Sequence, residues 1–105
     1  MSPQILLVAT TLETQEQAEG LAQTLIDERL AACAQISAPI RSVYRWQGEM
    51  CRGTEFYLTI KTTRHRESEL VDRLQALHPY QVPEILLQTI QASAAYAAWV
   101  NEQVS

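Results

Sequence analysis

Hydrophobic residues fall along this chain in two rhythms that alternate. Residues 5–9, ILLVA, form a continuous apolar run, the pattern of a short strand buried on both faces. From Ala18 the period lengthens: Ala18, Leu21, Ala22, Leu25 and Ile26 recur at helical spacing, and Gln15, Glu16, Glu19, Gln23 and Asp27 fall mostly on the other side as a solvated face. Thr14 with Gln17 three residues later supplies a capping box, so the pattern predicts a helix reaching to about Leu30. Residues 31–37 and 39–47 read as extended chain, with Pro39 marking a bulge or bend because it has no N–H to give a ladder. Within the second stretch Ser42, Tyr44 and Trp46 alternate with Arg41, Val43, Arg45 and Gln47, which puts two large aromatics on one face. A turn-rich tip at 48–53 leads into a second alternation over 55–62, with Phe56, Leu58 and Ile60 on one face and Glu55, Tyr57, Thr59 and Lys61 on the other. The two stretches make a long β-hairpin. Its arms exceed the usual strand length of about five or six residues and overhang a sheet built on the short first strand.

From about Arg64 to Leu77 the helical period returns, carried by Leu70, Leu74 and Leu77 with Val71 beside them. Pro79 stops this second helix. Pro79 and Pro83 each bar a helix and push the residue before them toward extended geometry, so residues 78–84 form a stiff connector to a last strand at 85–90. Ser93 then caps a terminal helix with apolar positions at Tyr96, Trp99 and Val100. The order strand, helix, strand, strand, helix, strand predicts an α+β, ferredoxin-like βαββαβ sandwich with both helices on one face of an antiparallel sheet, extended here by the hairpin and the C-terminal helix. The open sheet face and the overhang, with Tyr44, Trp46 and Tyr57, would leave a large apolar surface wet in a monomer. A closed oligomer is therefore expected, and strand edges that extend one another's sheets favour a small ring.

Composition narrows the function more than the fold. At 105 residues, 47% apolar and 19% charged, the chain reads as one domain, 1–105, with a core of its own. Eight basic residues against twelve acidic give a net charge of −4, the wrong sign for neutralising phosphates, so nucleic acid is not expected as a partner. The first residues lack positive charge and the run at 5–9 is too short for a signal or a span, which predicts a soluble, cytoplasmic protein without a membrane partner. Cys33 and Cys51, two thiols in an untargeted chain, are expected to be free. There is no nucleophile–base–orienter signature, no Gly-rich phosphate loop and no carboxylate dyad at recognisable spacing, so an enzyme is not expected.

Five segments carry a resemblance: LAQTLIDERLAACAQI at 21–36, SVYRWQGE at 42–49, LTIKTT at 58–63, HPYQVPEIL at 78–86 and YAAWV at 96–100. They resemble the CutA divalent-cation-tolerance family, in family order and across nearly the whole chain. The resemblance implies a ferredoxin-like subunit in a homotrimer with hairpins bridging subunits, and a role with copper or another divalent metal. The donors that suit such metals are Cys33 and His78, with Glu84 or Cys51 as additions. Some members carry, as suggested copper ligands, a cysteine at the end of the first strand and two adjacent histidines before the Pro-Tyr; here those positions hold Ala9 and Leu77, which leaves His78. Each donor has a structural alternative, Cys33 as a core residue and His78 as a hydrogen-bonded connector residue. The resemblance also places Tyr44, Trp46, Glu55, Lys61, Tyr80 and Glu84 near subunit clefts, where Lys61 and Glu84 form an ion pair that fixes the trimer or bind a small ligand. An alternative function follows, a PII-like signalling or scaffold trimer that binds a metabolite between subunits, although the short tip lacks the long exposed loop of PII proteins.

Overall fold

The computed structural model describes residues 3–105; Met1 and Ser2, where the stretch read for a signal begins, lie outside them. The elements run β1 (Gln4–Leu12), α1 (Gln15–Asp27), β2 (Cys33–Ile36), β3 (Ile40–Trp46), β4 (Glu49–Thr62), α2 (Glu67–Leu77), β5 (Leu86–Gln91) and α3 (Ala94–Gln103), with a 3₁₀ turn at Arg64–Arg66 leading into α2. The antiparallel sheet has the order β2-β4-β1-β5, and β3 lies beside the far half of β4. This is the expected ferredoxin-like arrangement with a hairpin and a terminal helix added.

The first strand is nine residues long and continues through Thr10 and Thr11, well past the apolar run that marked it in the sequence. Pairing on both sides explains the difference. Leu6–Leu12 faces Thr62–Phe56 of β4, and Gln4–Ala9 faces Gln91–Leu86 of β5, so the two threonines keep a ladder partner and are themselves buried. Even so, β1 flanks only the near half of β4. Beyond Phe56 the hairpin is a two-stranded ribbon in which Ile40 to Trp46 pair with Glu55 to Glu49.

One core lies between the sheet and the first two helices. Leu6, Val8 and Leu12 of β1 and Leu58 and Ile60 of β4 pack against Ala18, Leu21 and Leu25 of α1 and Leu70 and Leu74 of α2. Thr14 caps α1 as its spacing predicts: its hydroxyl accepts from the Gln17 N–H at 3.1 Å and the Gln17 side chain accepts from the Thr14 N–H at 3.2 Å. The helix stops at Asp27, three residues short of the expected Leu30. Arg29 turns the chain at φ 58°, with its N–H on Ile26 O and the Leu30 N–H on Leu25 O at 3.0 Å each, a Schellman stop built without glycine. Arg73 of α2 then grips Glu28 at the end of α1 with two 2.8 Å bonds, which hold that carboxyl below its ordinary range.

The hairpin tip is tighter than the turn-rich 48–53 stretch suggested. Only Gln47 and Gly48 form the turn, at φ 50° and 81°, while residues 49–53 already belong to β4. Two successive positive φ values are the mark of a type I′ turn, whose twist matches that of the flanking strands. After α2, whose cap is His78, the chain stays irregular to Ile85 as the two prolines require, and β5 begins at Leu86.

Candidate functional site

Strand alternation and the connector together build a cleft on the sheet face turned away from α1 and α2. Tyr44 and Trp46 project from β3 on the side that carries Glu55 on β4, since Ile40 lies opposite Glu55 and successive residues of a strand alternate between faces. The connector crosses at the base of the ribbon and brings Tyr80, Gln81, Val82 and Glu84 over the opposite wall. The cleft holds about 550 Å³. It brings together five of the six residues assigned to a ligand cleft, namely Tyr44, Trp46, Glu55, Tyr80 and Glu84, and adds Thr11, Glu13 and Gly53 from β1, its following loop and β4.

Glu55 and Tyr80 tie the cleft together. The Tyr80 hydroxyl donates to Glu55 Oε2 at 2.7 Å across 25 residues of sequence. Burial alone would raise the Glu55 carboxyl; interactions with Ser42, Tyr80 and Thr11 outweigh it and hold the group below the ordinary range as a carboxylate. The same pair acts on Tyr80 in the opposite sense, because burial and the adjacent carboxylate both push the phenol far above its usual value. Glu84 stands beside Tyr57 and raises that phenol in turn.

His78 anchors the connector. It is 8% exposed, and its Nδ1 accepts from the Tyr80 N–H at 3.1 Å, which leaves the ring proton on Nε2. That proton faces Thr11 O at 3.0 Å and Thr10 Oγ1 at 2.9 Å. Burial pushes the His78 pKa down against smaller opposing effects of the Thr11 bond and Glu55, which favours the neutral ring. Within the single chain both ring nitrogens are thus engaged in the hydrogen bonds of a connector residue.

Lys61 lies outside the cleft. Its ammonium donates to Gln35 Oε1 at 2.8 Å and sits 5.9 Å from the centre of the Tyr96 ring, which stacks on Trp99 at 5.7 Å. Within the chain, then, the recorded partners of Lys61 are Gln35 and Tyr96 rather than Glu84.

The sequence signature of the CutA1 divalent ion tolerance family matches residues 6–103. The chain belongs to this family. The divalent-cation tolerance protein CutA of Thermus thermophilus is 42% identical over 97 residues, 91% of this chain and 94% of that protein. Among solved structures, CutA from Synechococcus elongatus has a TM-score of 0.94 at 39% identity, covering 100% of this chain and 95% of that one. CutA1 from Ehrlichia chaffeensis has a TM-score of 0.89 at 35% identity, over 100% and 98% of the respective chains. The likeness therefore takes in the hairpin and α3 along with the βαββαβ body.

For a CutA1-family chain the metal donors are the obvious test of fit. Cys33 lies opposite Lys61 at the β2 edge, whereas His78 is bonded to Thr10 and Thr11, two strands away and at the other end of the sheet. Cys51 is out on the ribbon opposite Tyr44. Among the described residues no three His, Cys, Asp or Glu side chains converge as a metal site would require. Cys33 and His78 within one chain do not fit a resident metal, and both His78 nitrogens already have partners. No helix among the described residues is long and apolar enough to cross a membrane.

Proposed function

We propose that this CutA1-family protein acts in divalent-cation tolerance as a cytoplasmic homotrimer that handles copper or another divalent cation as cargo, without being an enzyme. The observation that carries the trimer is the distribution of exposed apolar side chains. Val43 and Met50 on one face of the ribbon, Tyr44 and Trp46 on the other, Val82 on the connector, and Leu86 and Leu87 on the last strand are all open to solvent in the single chain. A two-stranded ribbon has no core of its own and needs a second surface to rest on. Two measurements test this reading. Light scattering at micromolar concentration is expected to give about 36 kDa, three times the 11.9 kDa chain. Titration of the reduced protein with Cu(I), Cu(II) and Zn(II) is expected to show binding that weakens at least tenfold in a Cys33→Ser variant. A stable monomer, or equal metal affinity in both proteins, rules the reading out.

The cleft favours a second reading, the PII-like one, in which a small ligand is taken up beside Tyr44, Trp46, Glu55, Tyr80 and Glu84. Its volume of about 550 Å³ is in the range of small-molecule sites. Thermal stabilisation by a metabolite, undiminished in the Cys33→Ser variant, would separate this role from the metal role.

A further inference from the structure

Gly53 is a glycine with no backbone reason to be one. It sits in the interior of β4 opposite Ser42, where glycine costs roughly 0.5–1 kcal/mol relative to alanine, and its φ is not in the left-handed range. No other chain segment presses on it: a Cβ built there meets nothing within 4 Å. What the missing side chain leaves is space, and that space is the floor of the cleft, on the strand face shared by Glu55 and flanked by Tyr44. The walls around it are chemically one-sided. Three carboxylates, Glu13, Glu55 and Glu84, face a single cation, Arg52, and three aromatic rings, Tyr44, Trp46 and Tyr80, supply π-faces and apolar contact. Tyr44 and Trp46 are 50% and 39% exposed in the single chain, and in the proposed trimer their rings line a cleft that a neighbouring subunit borders. A negative field between aromatic walls repels phosphates and carboxylates and attracts a cation too large and too weakly hydrated for a metal site.

From these residues we infer that the cleft binds a small organic cation of the alkylammonium class, its charged end near Glu55 and Glu84 and its alkyl groups against Tyr44 and Trp46 above Gly53. The inference rests on the reading of the cleft as a ligand site and adds the chemical class of the ligand. Burial is the largest cause that raises the Tyr80 phenol, and the neighbouring Glu55 and Glu13 carboxylates, which raise it further, are groups that such a cation would also meet. Gly53 also supplies the control, because a Cβ there meets no neighbour within 4 Å and a larger side chain begins to fill the space assigned to the ligand.

The test uses three probes of one shape and different charge on the full-length protein: choline, its neutral carbon isostere 3,3-dimethyl-1-butanol, and the anion 3,3-dimethylbutanoate. Binding is read by calorimetry and by shifts of Trp46 and Tyr80 resonances, with scattering to show that each variant keeps the wild-type assembly. Choline is expected to bind at least tenfold tighter than the neutral isostere. That preference should disappear in Gly53→Val, and Glu84→Gln should reduce it several-fold. If the neutral or anionic probe binds as well as choline and Gly53→Val abolishes that binding, the cleft remains a ligand site and the cation inference is overturned. If none of the probes binds at 10 mM, or Gly53→Val leaves choline binding unchanged, the cation inference and its place in this cleft both fall. A Gly53→Val protein that loses its assembly would instead assign the space to a neighbouring subunit and likewise overturn the inference.

Discussion

His78 and Glu55 give the protein a pH response whose sign follows from their surroundings. Burial lowers the His78 pKa from its ordinary 6.5, so the native state keeps the ring neutral where the unfolded chain begins to take up a proton. Stability therefore falls as the pH drops below about 6.5, and this loss is complete once the pH is under the native pKa. Glu55 adds a second loss lower down. Its carboxylate is stabilised in the native state, and that contribution, present above about 4.5, disappears as the pH falls through the depressed native value. Urea unfolding at pH 8, 6 and 4 is expected to show declining stability, and His78→Gln, which cannot titrate, should flatten the decline between pH 7 and 5. An unchanged slope in that variant would assign the response to other groups. Tyr80→Phe removes the 2.7 Å bond to Glu55 and is expected to cost about 1.5 kcal/mol, at the low end for a charge-assisted bond because the site is partly open. Some of this was legible in the sequence and some was not. Alternation alone put Tyr44 and Trp46 on one face with each other, but nothing periodic joins Glu55 to Tyr80 or Thr11 to His78. Those links depend on where the connector crosses the sheet, and only the family resemblance brought Tyr80 and Glu84 into consideration.

At the level of elements, the stops were harder to read than the starts. The capping box at Thr14 and the Ser93 cap, whose hydroxyl accepts from the Tyr96 N–H at 3.2 Å, are both local side-chain chemistry and both appear where the spacing put them. The end of α1 carries no such sign, because Arg29 takes the left-handed position that glycine usually marks. The hairpin tip hides in the same way. Gln47 is an unusual residue for the first turn position, so the glycines at 48 and 53 suggested a longer loop than the two residues that make it. Gly48 is the residue that the turn requires. Gly48→Ala adds a Cβ that meets no neighbour, so its cost is purely that of the backbone at φ 81°, and a loss of about 1 kcal/mol is expected by thermal or urea unfolding. Gln47→Asn should move stability the other way by a few tenths of that amount, since asparagine accepts positive φ more readily. If both substitutions were neutral, the tip would not be a type I′ turn in solution. Similarly, β1 outran its apolar run because a strand's length is set by its partners, which the residues of the strand itself do not reveal.

The whole molecule is longer than a domain of its size should be. Its radius of gyration is 14.5 Å, against about 13 Å for a compact chain of this length, and its extents are 45 × 26 × 24 Å. The excess is the ribbon, which projects past the end of β1 with apolar residues on both faces. A monomer would have to keep this ribbon ordered in water with only its own ladder to hold it, and such isolated hairpins are marginal. The proposed trimer, by resting the ribbon on neighbouring subunits, would resolve the difficulty and link the stability of the chain to its concentration. Two consequences can be measured. The melting temperature is expected to rise with protein concentration wherever unfolding is reversible. Val43→Asp combined with Met50→Asp, which charges the two most exposed apolar positions of the ribbon without touching the core, should shift the scattering mass from about 36 kDa toward 11.9 kDa and lower the melting temperature. Retention of the full mass by the double variant would show that the ribbon's Val43–Met50 face is not the one that holds subunits together, and would leave Tyr44, Trp46 and the last strand as the contact.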